Sequence, residues 1–187
     1  MVDVSLLQSL SYTAGAISVV LGVIYYGINL RETTRNRRVT LASNLLSTIN
    51  SEDAQRKYFE LMSMRWTDFD DFVEKYDSSV NPENYIKRYA FWQVCEHVGW
   101  QYRKGLVDLD TIYYSAGVNI FLMWRKFNPI IKEYVVKKQA YGRGQWMNWE
   151  YLAGALDKMS ERLDPEMHKN WDATVKSSFQ REDTRTI

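Results

Sequence analysis

Cysteine occurs once in these 187 residues, as Cys95, which excludes an internal disulfide and fits a reducing compartment. Histidine occurs twice, as His97 and His168, and neither sits in a Glu-x-x-His or His-Glu-x-x-His spacing that would turn metal ligands onto one helix face. Three prolines and nine glycines are too few for a turn-rich β fold or a disordered tail. An excess of charge of one sign is also missing, with 24 Lys and Arg against 23 Asp and Glu. Phosphate-cradling glycine loops, a nucleophile elbow and paired zinc-binding cysteines are all absent from the sequence.

One further absence is the most informative. No charged side chain occurs between Val4 and Leu30, and Arg31, Arg35, Arg37 and Arg38 then follow within eight residues. About 20 apolar residues rising 1.5 Å each span a hydrocarbon core of ~30 Å. Backbone amides in lipid must be satisfied within the segment, so the run is expected to be a transmembrane helix. A signal peptide would carry its positive charges before the apolar run, whereas this chain starts Met-Val-Asp-Val and places its arginines after it. Arginine-rich flanks stay on the cytoplasmic side, so the expected topology is single-pass in the cell membrane, N-terminus outside and C-terminal domain cytoplasmic. Arg31, Arg35, Arg37 and Arg38 are then candidate contacts to anionic headgroups at the membrane surface. The lipid bilayer is the first expected partner.

Setting aside residues 1–38 leaves 20 basic against 21 acidic side chains, so nucleic acid is not an expected partner. The remainder is long enough for one domain with its own core. Its apolar period is 3.6 residues throughout. Ala42, Leu45, Leu46 and Ile49 continue one helical face beyond the membrane run. Ser51 predicts the cap of a second helix with a Tyr58, Phe59, Met62 and Trp66 stripe, and Thr67 opens a short third one. Asn81-Pro82-Glu83 is a strong helix start, with Val80 placed to staple onto Tyr85; that helix ends at Lys104-Gly105.

Asp108 caps the next helix, apolar almost all round from Ile112 to Trp124 and therefore expected to be central and buried. Asn128-Pro129 is expected to break or restart it. Trp149, Leu152, Ala153, Leu156 and Leu163 mark another amphipathic helix, and Met167, Trp171 and Val175 a last short one. The fold class is thus all-α: an N-terminal transmembrane helix continuing into a cytosolic antiparallel helical bundle. The expected divisions are an anchor with its basic segment (1–38), the bundle (39–175) and a polar tail (176–187).

Catalytic spacing is hard to find. Cys95, Glu96 and His97 are consecutive on a helix and point about 100° apart, so they cannot converge on one ion or substrate. Cys95 reads as core, and Glu96 and His97 as polar contacts or surface. No catalytic residue, cofactor or metal site is assigned. Tyr141-Gly142-Arg143-Gly144 is the one loop signal, and with Trp146, Met147 and Trp149 it forms an aromatic patch. Core packing is its default reading, with Arg143, Trp146 and Trp149 the candidate contacts to a partner or ligand.

The order LRETTRNRR, amphipathic continuation, then YAFWQVCEHVGWQYRKGLVDLDTIYYSAGVNIFLMWRKFNPIIKEY resembles a class of small single-pass, membrane-anchored prokaryotic proteins carrying a helical domain of unknown function. The resemblance covers about residues 17–138 and rests on packing and capping motifs. It implies the fold and the topology, and it brings no activity to Glu96, Arg103 or Trp124. The expected function is a membrane-tethered, non-catalytic helical module working through contacts with other membrane or cytosolic proteins, as an accessory subunit of a membrane complex. The alternative is a membrane-bound enzyme or small-ligand sensor, with a pocket lined by Trp92, Trp100 and Trp124 and exposing Glu96 or Arg103.

Overall fold

The computed structural model describes residues 4–138 and 144–177, and every regular element among them is helical. The chain divides into two compact units, Met1–Leu41 and Ala42–Ile187. Eight α-helices follow in order: α1 (Val4–Ile49), α2 (Glu52–Ser63), α3 (Phe69–Tyr76), α4 (Pro82–Arg103), α5 (Leu109–Ile112), α6 (Val118–Glu133), α7 (Met147–Leu163) and α8 (Pro165–Ser177). Two π-helical segments, Tyr113–Gly117 and Tyr134–Lys138, flank α6.

In the first unit, α1 is long and apolar enough to cross a membrane, and the apolar window that qualifies it is wholly unburied. Val4–Leu30 covers roughly 40 Å at 1.5 Å per residue. Two of its hydroxyls bond back onto the helix itself. Thr13 Oγ1 donates to the Ser9 carbonyl at 2.9 Å and Ser18 Oγ to the Ala14 carbonyl at 2.8 Å. Such back-bonding removes the need for water at polar positions in an otherwise apolar run. Val19, Val20, Ile24, Tyr25 and Tyr26 are all exposed.

The second unit has a continuous core. Leu46 and Ile49 are buried in it, while the side chains of Ala42 and Leu45, expected on the same face, lie outside the described set. Trp92 on α4 stands at its middle, with ring centroids 5.3 Å from Phe127, 5.7 Å from Trp146 and 6.1 Å from Trp149. Ring contacts continue outward through Trp66, tilted on Phe127 at 5.3 Å and edge-to-face with Phe72 at 5.0 Å. This is where the aromatic content is used.

Several helix starts match the sequence reading. Ser51 Oγ accepts from the Ala54 amide, Asn81 Oδ1 from Asn84 and Asp108 Oδ1 from Thr111. Gly105 takes φ +64° just after α4, where a Cβ would be strained. Other positions differ. The cap of α3 is Asp68, not Thr67: Asp68 accepts from the Asp71 amide at 2.9 Å, and the Asp71 carboxylate reaches back to the Thr67 amide at 2.8 Å. On α2 the buried pair is Tyr58 and Leu61, and Phe59 is 68% exposed. Val80, Leu163 and Met167 are exposed as well. Pro129 lies inside α6 rather than ending it. Phe127, Ile130 and Ile131 are buried on both sides of it, and that burial offsets the ~3 kcal/mol cost of an interior proline. The expected central helix is buried in part: Ile112, Ile120, Phe121, Leu122 and Met123 are in the core, but Tyr114 is 75% exposed and Trp124 only partly covered.

Candidate functional site

Arg31, Arg35 and Arg37 are exposed on α1; the side chain of Arg38 and all of Arg143 lie outside the described residues. Trp146 and Trp149 are in the core rather than on a surface patch. Trp149 Nε1 donates to the Ile120 carbonyl at 3.1 Å, and both rings pack on Trp92. Their contact role is therefore internal, as large apolar side chains, with the polar edge of Trp149 satisfied.

Trp146 also explains what Glu96 does. It stands at the N-cap of α7 with φ +71° and no side-chain cap of its own. The Glu96 carboxylate supplies that cap from α4. It accepts from the Trp149 amide at 2.8 Å, the Asn148 amide at 3.3 Å and Asn148 Nδ2 at 2.7 Å. A carboxylate at a helix N-terminus satisfies orphan donors and meets the positive end of the dipole. Burial pushes the neighbouring Cys95 thiol far above its ordinary value, so it stays protonated and a poor nucleophile at neutral pH. His97 packs its ring 5.6 Å from Trp100. Among the described residues no cluster of three or more His, Cys, Asp or Glu could hold a metal ion.

Two buried cations went unnoticed in the sequence. Arg88 Nη1 donates to the Tyr76 carbonyl at 3.2 Å and to Asn84 Oδ1 at 3.3 Å, with its guanidinium over the Phe72 ring at 4.7 Å. Lys126 Nζ donates to the Met62 carbonyl and, at 2.8 Å, to that of Met64, closing the C-terminal end of α2. Burial, helped by the charge of Arg65, lowers the Lys126 pKa from 10.5 to about 7.

The sign of that shift gives a test. Above about pH 7 the native amine is neutral while the unfolded chain still holds the proton up to about 10.5, so stability rises with pH. The raised Cys95 thiol opposes this above about pH 9, as do Tyr58 and Tyr134, both held at about 12, above about pH 10. Urea midpoints should therefore climb from about pH 7 to about pH 9, level off, and fall above about pH 10. Lys126→Met should flatten the climb; a wild-type profile flat across this window would contradict the assignment.

The chemistry left open lies between α6 and α7. Phe121, Trp124, Arg125 and Asn128 from one helix and Glu150, Ala153, Gly154 and Asp157 from the other line a cavity of about 400 Å³. Both sets follow the i, i+3, i+4, i+7 spacing of a single helix face. Arg125 Nη2 pairs with Asp157 Oδ1 and lies 2.9 Å from His168 Nε2, which is itself 2.9 Å from Asp157 Oδ1. The guanidinium sits over Phe121, 5.4 Å from the ring centroid, and Trp171 of α8 packs its edge on the same ring. Arg125 can donate to Nε2 only while that nitrogen is unprotonated; protonated, the imidazole would donate to Asp157 instead.

No family model, curated protein or solved structure matches this chain. The expected pocket differs from this one. Trp92 is buried, Trp100 is not in the lining, Glu96 caps α7, and Arg103 bonds Asn148 at 3.4 Å beside Tyr151. Trp124 alone carries over. The small pair Ala153-Gly154 facing Trp124 at helical spacing was the available signal, since small residues opposite a large one leave room.

Proposed function

We propose that the chain is a membrane-tethered helical module that works through contacts with other membrane or cytosolic proteins rather than by bond-making chemistry, as an accessory subunit of a membrane complex. The observation that carries the tether is α1: a long apolar surface, unburied, on which the Thr13 and Ser18 hydroxyls bond back onto their own helix. Left in water, such a surface would carry a large hydrophobic penalty. The four arginines after Leu30 favour N-terminus outside and the domain in the cytosol. The contact reading is supported by exposed aromatics on the second unit, including Trp100 at 42% and Tyr151 at 54%. The class of single-pass prokaryotic proteins that the sequence resembles is the family we propose for it.

Topology mapping tests this reading. In a Cys95→Ala background, single cysteines at position 2 and position 181 should label from outside and only after permeabilisation, respectively. The reverse pattern would invert the assignment, and labelling of both from one side would remove the single-pass reading. A second reading, a small-ligand sensor, is favoured by one observation: the cavity between α6 and α7 with its Arg125, Asp157 and His168 cluster.

A further inference from the structure

We propose that the cavity between α6 and α7 binds a small organic cation, an alkylammonium or alkylguanidinium, held by acceptor oxygens over the Trp124 ring. The inference rests on the ligand reading and is independent of the membrane tether.

The lining sets two carboxylates against one guanidinium. Arg125 is engaged by Asp157 and His168 and stacked on Phe121, so its charge is already answered from within the protein. The Glu150 carboxylate is exposed and makes no ion pair among the described residues. Asp157 uses Oδ1 for both of its contacts, which leaves Oδ2 as an acceptor. Asn128 adds a neutral side-chain amide to the lining.

Charge and shape agree with this. Glu150 and Asp157 outweigh Arg125 among the lining residues. Trp124, partly covered and held edge-on to Trp149 at 5.0 Å, is the aromatic type that best attracts a cation. Space is kept by Gly154, where a Cβ would meet nothing within 4 Å. The volume of about 400 Å³ lies at the small end of ligand pockets, which run from roughly 300 to 1,000 Å³. An anion would meet two carboxylates and an occupied guanidinium.

The test uses the full chain in mild detergent, titrated with n-butylammonium and n-butylguanidinium, with butyrate and butanol as anionic and neutral counterparts. Calorimetry and tryptophan emission are the readouts. Both cations, or one of them, should bind saturably and shift the emission, while butyrate and butanol should not. Glu150→Gln should weaken cation binding by about tenfold through loss of the charge pair. Gly154→Leu should abolish it by filling the cavity, with unchanged helical circular dichroism showing that the fold survives. Trp124→Phe, which keeps a ring of weaker attraction, should bind more weakly with its emission response lost. Absence of saturable cation binding, preference for butyrate, or cation binding indifferent to both Glu150→Gln and Gly154→Leu would overturn the proposal. None of these outcomes bears on whether α1 crosses a membrane, so failure here and failure of the tether are separable.

Discussion

Gly99→Ala should destabilise the second unit, although alanine is the better helix former by about 1 kcal/mol. A Cβ at Gly99 would fall 2.2 Å from the Asn148 carbonyl oxygen, 2.4 Å from its carbon and 2.8 Å from the Trp149 amide nitrogen. These are backbone atoms, which cannot rotate aside as a side chain can. The same stretch is pinned one turn away by Glu96, through the Asn148 and Trp149 amides. α4 and α7 must therefore separate, or the cap must break. Overpacking costs about 1–3 kcal/mol where side chains can yield, and a backbone clash belongs at or above the top of that range. Against a total of about 5–15 kcal/mol, the larger Gly99→Val should leave little folded domain. Gly154→Ala is the matched control, since its Cβ meets nothing within 4 Å and should raise the melting temperature. If Gly99→Ala raised it too, the close approach of α4 and α7 would be wrong.

Trp149→Ala is expected to cost about 3–5 kcal/mol, in the range for emptying a large aromatic site in a core. Its ring is fully buried, meets Trp92, Trp124 and Trp146, and carries a satisfied Nε1. The truncation leaves a void among three other indoles and removes the Nε1 bond to the Ile120 carbonyl. Trp124→Ala, at a partly covered position on the cavity, should cost less than half as much. Denaturant midpoints with unchanged slopes would measure both. Equal losses at the two positions would contradict the burial assigned here.

The helices were legible because their signals are local. Ser51, Asn81-Pro82, Asp108 and Gly105 each act within one turn, so spacing and residue type sufficed to place them. Asp68 was missed in favour of Thr67 because either can cap, and the choice is made by Asp71 three residues on. Pro129 was read as a break because a helix-interior proline is judged by its own cost, while the burial that offsets it comes from distant elements. The site was the least legible part. Glu96 acts on residues more than fifty positions away, and Arg125 is joined to His168 from a third helix. Lys126 lies next to Arg125 and looks equally solvated in sequence, yet one turns into the core and the other to the cavity. Pairings across elements leave no spacing to read.

Alkaline carbonate extraction of membranes from cells expressing the chain, followed by intact-mass determination of the resistant fraction, tests the tether most directly. The full 187-residue chain should remain in the carbonate-washed pellet and leave it only with detergent. Recovery in the carbonate supernatant would show that α1 does not anchor the protein. A mass lacking the N-terminal apolar run would show a cleaved signal sequence instead, and either result would contradict the membrane-tethered reading.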